Sequence, residues 1–401
     1  IENDSATVTL DGVEYASMQS AIDAVAASES KSGTITLLGD VPNAEGVKVP
    51  SGLNVTIDFA GFTYTLAGPG AGSTNTETNG FQLLKDSTIL FKNGTVNIAQ
   101  NAANIKRMVQ NYANLTLEDM RFEAANQVGG EDYALSFNNG DIVFKGSTSI
   151  ITTSDNTIAF DLCKFSSYPG GSVTFDNSYT GEISGRIVYD SPSASDWSLA
   201  INGNGSFGGI DLSETASKTP NITVSGGTFA SDVSEYVEDG YASIGADGSF
   251  TIKPATEPTD DSAAEVGGVY YKSVQNAINA ADDGATVTLY KSVSEDIVID
   301  EKSVVLDLNG FTLTNVENDT ITVKISASLT VIGSGTVDNK SNAKAAVFNE
   351  GTVVLNGGIF DRTSETGSSA DVSGGNSWYT LCNHGTMTIG SDVTEIGRAH
   401  V

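Results

Sequence analysis

Two adjacent carboxylate pairs, Asp260-Asp261 and Asp282-Asp283, are the first residues in this 401-residue chain whose type and spacing could do chemistry. Paired acids hydrolyse a glycosidic bond when they flank it with room for a water. The first pair falls in a polar, proline-containing stretch and the second directly follows a predicted helix, so neither is expected on a strand that presents it to substrate. Looser acid groups, Glu235, Glu238 and Asp239, then Glu295, Asp296, Asp300 and Glu301, lack the spacing of a calcium loop and are expected as solvated surface. Cys163 and Cys382 are expected as small buried hydrophobes, not as a disulfide or a nucleophile. His384 sits in a turn with no Cys or His at zinc spacing, and a structural role is expected. Trp197, Trp378 and Tyr379, with Tyr168 and Tyr179, flank Gly/Ser-rich loops. Aromatic faces beside loops can stack on sugar rings, so Trp197, Trp378 and Tyr379 are the candidate glycan contacts, although packing is the commoner use of such rings. No catalytic, metal-binding or cofactor-binding residue is assigned.

The charge balance narrows the partners. Twenty Lys and Arg against 50 Asp and Glu give a formal charge of −30. Nucleic acid and anionic membrane surfaces both require a basic face, so neither is expected as a partner. No apolar run approaches the ~18 residues of a membrane span. The chain starts at Ile1, without an initiator Met or a signal peptide, and is expected to be a mature chain or a fragment. The last six residues, Ile396-Gly397-Arg398-Ala399-His400-Val401, back-translate as ATC GGA AGA GCA CAC GTC. That string lies within a common short-read sequencing adapter. Natural sequence is therefore expected to end near Thr394, with the gene continuing.

The elements that must position any site are repeated. Asp11-Gly12-Val13-Glu14-Tyr15-Ala16-Ser17-Met18-Gln19-Ser20-Ala21-Ile22 returns as Gly267-Gly268-Val269-Tyr270-Tyr271-Lys272-Ser273-Val274-Gln275-Asn276-Ala277-Ile278. Thr34-Ile35-Thr36-Leu37 returns as Thr286-Val287-Thr288-Leu289, and Asp58-Phe59-Ala60-Gly61-Phe62-Thr63 as Asp307-Leu308-Asn309-Gly310-Phe311-Thr312. The polar segment around Pro254 and Pro258 reads as a linker. The expected organisation is a first module over 1–252, a linker over 253–263, a second and truncated module over 264–395, and an artefactual tail over 396–401.

Within each module short β-branched strands end in glycine turns. Examples are Leu53–Asp58, Ser87–Phe91, Asp141–Phe144, Ser172–Phe175, Leu329–Ile332 and Thr352–Leu355. They recur roughly every 20–35 residues, the period of a solenoid. Phe137-Asn138-Asn139-Gly140, Phe348-Asn349-Glu350-Gly351 and Cys382-Asn383-His384-Gly385 each precede a strand. They are read as register marks, an apolar residue stacked coil on coil and then an Asn bonding along a turn. Met18, Ala21, Ile22 and Val25 share one helical face, and Val274, Ala277, Ile278 and Ala281 repeat it. Each helix precedes the first strand of its module and is expected to plug the open end of the stack. Asp232–Val237 is read as either a helical turn or a plain loop.

The helix-then-strand entry and the glycine-punctuated strands resemble the pectin-lyase-like right-handed parallel β-helix. The particular variants, Leu306-Asp307-Leu308-Asn309-Gly310-Phe311-Thr312-Leu313 and Gly227-Thr228-Phe229-Ala230-Ser231-Asp232-Val233 among them, are similar to repeated modules of surface proteins from Gram-positive gut bacteria. The resemblance implies an all-β fold, a right-handed parallel β-helix in two tandem modules, each with a short N-terminal capping helix. It also implies an extracellular, cell-surface or secreted location.

The catalytic motifs of that superfamily are missing. Polygalacturonases of this fold carry Asn-Thr-Asp, Asp-Asp, Gly-His-Gly and Arg-Ile-Lys in order. Here Asn156-Thr157 runs into Ile158, His384 lies between Asn383 and Gly385, and no Arg-Ile-Lys occurs. No cluster of acids with an Arg base, as in pectate lyases, is evident near Arg107, Arg121 or Arg186. The preferred expectation is a non-catalytic surface stalk or adhesin whose partners are glycans or host or bacterial surface proteins. The alternatives are a carbohydrate-binding module or an atypical polysaccharide lyase or hydrolase.

Overall fold

A computed structural model describes residues 6–100, 102, 105–124, 133–152, 158–341, 343–363, 379–395 and 399–400. The tail 396–401 is thus described only at Ala399–His400, which pair in parallel with Leu381–Asn383. The chain divides into two compact units, residues 1–237 with 243–253, and residues 238–242 with 254–401.

Each unit is a parallel β-solenoid, and each coil contributes a strand to three faces. In the first unit Ser32–Leu37, Asn54–Asp58, the start of Thr88–Ile98, the start of Asn114–Glu123, Gly140–Lys145, Gly171–Phe175, Trp197–Ile201 and Asn221–Val224 stack in parallel on the first face. Alternation fixes which side of each strand is buried. Ile57, Phe91, Leu117, Phe144, Phe175 and Ile201 therefore fall in one inward column, each with no exposed surface. The second face is built from short strands such as Val41–Ala44, Thr63–Leu66 and Ser149–Ile151. The third contains Val47–Val49, Asn79–Leu83, Arg107–Asn111, Tyr133–Phe137 and Ile158–Cys163, continued by the end of Glu182–Asp190. The second unit repeats the plan, with Thr286–Leu289, Ser303–Asp307, Ser328–Ile332, Thr352–Leu355 and Thr386–Ile389 on its first face.

Both predicted caps form. Helix α1 spans Met18–Ala27 and buries Met18, Ala21, Ile22 and Val25. Ser17 caps it, its hydroxyl accepting from Ser20 N at 3.2 Å. Val8–Leu10 adds in antiparallel fashion to Ser32–Leu37 and so blocks the open strand edge. Helix α2, Val274–Ala280, and the antiparallel Ala264–Val266 do the same in the second unit. Between the predicted loop and helix for Asp232–Val237, the structure has a single 3₁₀ turn over Ser234–Tyr236.

Two expectations about surface and register need correcting. The acids around α2 are not merely solvated. Glu295 accepts from Ser273 Oγ (2.6 Å), Val274 N (2.8 Å) and Gln275 N (3.0 Å), covering the N-terminus of α2. Asp296 is partly buried, which raises its pKa, but backbone N–H groups of Val316, Asn318 and Glu317 outweigh that and hold it low. Glu295→Ala is expected to cost about 1–2 kcal/mol. Amide exchange in α2 checks it, and unchanged protection there would show that the carboxylate is dispensable.

The register marks are correct in the second unit and one residue out of step in the first. Fully buried Asn349 donates to Asn383 Oδ1 (2.6 Å) and Thr386 O (3.0 Å), and accepts from Gly351 N (3.0 Å). Its counterpart in the first unit is Asn111, which bonds Ala113 O (2.8 Å) and Asn139 O (3.1 Å). Asn111 pairs with Phe137, so Phe137 points inward. Phe348 and Cys382 lie one position off that row, half-buried on the outer side. A one-residue shift along a strand reverses the face it presents.

Candidate functional site

The outer side of the third face in the first unit carries a cleft of about 640 Å³. Its floor is a row of side chains, one per coil. Gln82 pairs with Gln110, Gln110 with Ser136, and Ser136 with Asp161. Two residues further along their strands, Cys163 and Asp190 are paired neighbours on the same side. Arg107, register partner of Asn79, lies with its guanidinium 5.8 Å from the centre of the Tyr133 ring. Asn79, Gln82, Gln110, Ser136, Asn138 and Asp161 all line the cleft, yet each is less than a tenth exposed.

Loops supply the walls. One side is Ser73, Thr76 and Thr78, from the connection into Asn79–Leu83. The other is aromatic. Tyr112 lies 4.8 Å from Tyr168 and 6.2 Å from Phe165, ring centre to ring centre. Lys164 fixes this loop, its ammonium donating to Tyr168 O (2.7 Å) and Asp196 Oδ1 (3.1 Å). Gly170 closes the loop at φ +93°, where a Cβ would lie 2.0 Å from Asp196 O. Only glycine fits that approach.

The polar groups of the floor are unevenly satisfied. Gln110 donates to Asn138 Oδ1. Asn79 Nδ2 donates to Ala71 O (3.0 Å), which leaves Asn79 Oδ1 buried without a partner. Gln82 Oε1 and Asp161 Oδ1 are also buried and unbonded. Burial pushes the Asp161 carboxyl up to about 6, with the Ser136 hydroxyl and Arg107 opposing and Asp190 adding a smaller upward push. Asp190 by contrast accepts from Ser213 Oγ and from Thr215 Oγ1 (3.1 Å). The Cys163 thiol is pushed up to about 12 by burial and then by the two carboxylates, so it is not a thiolate at neutral pH. Burial, Asp161 and Asp190 also raise Tyr133.

The described residues among the predicted glycan contacts, Trp197 and Tyr379, do not line this cleft. Trp197 is 1% exposed and faces the interior, so it offers no ring face to a sugar. Trp378 lies outside the described residues, as do Asn156 and Thr157. Tyr379 belongs to the second unit and is half-buried. Tyr179 is fully buried among rings. Of the predicted aromatics among the described residues, Tyr168 alone lines the cleft. Cys163 and Cys382 are half-buried at outward positions, not core hydrophobes. Sequence reading also found no acids near Arg107, because Asp161 and Asp190 stand on later coils.

Arg186 and Arg121 are engaged elsewhere, by Asp211 and by Glu123 at 2.7 Å. Among the described residues no group of three or more Cys, His, Asp or Glu is placed to hold a metal ion. No described helix is long and apolar enough to cross a membrane. The second unit has a smaller pocket of about 350 Å³ beside Phe348, Cys382 and His384. No protein-family model, curated protein or solved structure matches this chain.

Proposed function

We propose that the chain is an extracellular β-helix of the pectin-lyase-like kind that works as a surface adhesin, and that the first-unit cleft is its glycan-recognition site. One observation carries this reading. An aromatic wall of Tyr112, Phe165 and Tyr168 stands beside a buried polar row that still holds unbonded oxygens. A sugar presents both an apolar C–H face and a rim of hydroxyl donors, and it fits such a wall and floor together. Unbonded buried acceptors are costly, and a ligand that bonds them recovers that cost. The formal charge of −30 adds solubility and disfavours polyanionic partners.

A second reading is favoured by a separate observation. Asp161, raised to about 6, shares the cleft with Asp190 and Arg107, the residue types that cleave glycosidic bonds. One experiment separates the two. The protein is run on native gels cast with a panel of host and plant polysaccharides, with and without calcium, and the gels are then stained for intact polymer. Retarded migration in one glycan is expected, reduced roughly tenfold or more in apparent affinity by Tyr112→Ala with Tyr168→Ala. A cleared zone that Asp161→Asn abolishes would move the cleft from recognition to cleavage. Unaltered migration in every glycan, with polymer intact, would sink both readings.

A further inference from the structure

We propose that the cleft selects a saccharide bearing a free amine, its ammonium seated on Asp161 Oδ1 and its ring against Tyr112 and Tyr168. This rests on the saccharide reading and names the chemistry of the ligand. Acceptors predominate among the polar atoms left to bond in the lining, with Arg107 Nε a buried donor beside them. Asn79 Oδ1, Gln82 Oε1 and Asp161 Oδ1 are all buried and unbonded, and their side chains are 5%, 8% and 5% exposed. Three nearby donors are already spent: Asn79 Nδ2 on Ala71 O, Gln110 Nε2 on Asn138 Oδ1, and Lys164 Nζ on Tyr168 O and Asp196. A floor of acceptors calls for a ligand of donors.

Charge narrows that to a cation. The described lining residues include two carboxylates, Asp161 and Asp190, and one guanidinium, Arg107. One negative charge is left over. Asp190 already takes two hydroxyl donors, from Ser213 and Thr215, and faces Cys163. Asp161, which lines the cleft, keeps one oxygen buried and unbonded. An ammonium there makes a charge-assisted bond to a side chain only 5% exposed. The tyrosine faces add attraction for a cation and stacking for the ring that carries it. A uronate, in contrast, would bring a third carboxylate beside Asp161 and Asp190, with Arg107 alone to meet it.

The test is titration calorimetry on the full chain with four probes: short chitosan oligomers, the same oligomers fully N-acetylated, cello-oligosaccharides and oligogalacturonates. Chitosan oligomers are expected to bind roughly ten- to a hundredfold tighter than the N-acetylated set, the value of one charge-assisted bond. Asp161→Asn should erase that preference and leave the weaker binding of neutral sugars. Binding of the amine should strengthen as pH rises through about 6, because the seat must be ionised. The groups facing Asp161 on that titration are Arg107, Asp190, Ser136, Tyr133 and Cys163. Equal affinity for chitosan, N-acetylated and cello-oligomers would overturn the amine proposal while the saccharide reading stands. A chitosan preference that Asp161→Asn leaves intact would mean unspecific attraction to an acidic chain and would also overturn it. Preference for oligogalacturonate would reverse the assigned charge. No binding of any probe removes this proposal, and the polysaccharide gels then decide the saccharide reading on their own.

Discussion

Asp161→Asn is expected to make the first unit more stable at pH 8, by up to about 3 kcal/mol, and to change it little at pH 4. The carboxyl is 5% exposed and is raised to about 6 by burial, from an ordinary value of 3.8. A raised carboxyl pKa means that the folded state prefers the protonated acid. Its contribution is fully present below about pH 4, where folded and unfolded chains both hold the proton. It is lost as pH rises through about 6, where the unfolded chain ionises freely and the folded one ionises at a cost. A rise of about two units at ~1.36 kcal/mol each gives the expected size. Asn keeps the shape and cannot ionise, so it removes the pH-dependent part alone. Urea unfolding at pH 4, 6 and 8, followed by fluorescence of buried Trp197, measures it. Parallel pH profiles for parent and variant would show that Asp161 is not the titrating group. A residue that weakens the fold at neutral pH calls for another reason to be there, and a cleft with unbonded acceptors supplies one.

How far the sequence foretold this molecule depends on what each signal records. The first-face strands were legible because Ile57, Phe91, Phe144 and Phe175 alternate with polar residues and end at glycine turns. Both caps were legible because Met18, Ala21, Ile22 and Val25 hold helical spacing, and so do Val274, Ala277 and Ile278. The second and third faces were not legible as separate strands. Val41–Ala44, Val47–Val49 and Ser149–Ile151 are too short to show a period.

The cleft was hidden for a different reason. Gln82, Gln110, Ser136 and Asp161 are polar residues in unremarkable contexts, and only strand register brings them into one row. Register also misled, since reading Asn138 as the partner of Asn349 placed Phe137 in step with Phe348 and Cys382. The aromatic reading failed at Trp197, whose size suits a core position as well as a binding face. Tyr168, beside a Gly/Ser-rich loop, does line the cleft, and Lys164 bonds its carbonyl oxygen there.

Phe175→Ala is expected to cost about 3–5 kcal/mol, the usual range for emptying a buried phenylalanine site. Phe175 is fully buried at the centre of a ring stack. Phe144 lies 4.4 Å from it in near-parallel stacking, Tyr179 4.8 Å and Phe207 5.1 Å away edge-on. The cavity cannot close easily, because ladder hydrogen bonds hold neighbouring coils ~4.8 Å apart on every face. Phe175→Leu fills most of the space and should cost clearly less. Coils touch only their neighbours, so the damage should be local. Amide protection should fall in Gly140–Lys145, Gly171–Phe175 and Trp197–Ile201 and hold in Val47–Val49 and Asn54–Asp58. An even loss of protection along the unit, or a cost below 1 kcal/mol, would contradict this account. The same stack connects core to cleft. Phe160 packs 5.5 Å from Phe144 and 6.1 Å from Phe175, and it lies on the strand that carries Asp161 and Cys163 outward. Loosening that strand should weaken ligand binding although no cleft residue has changed.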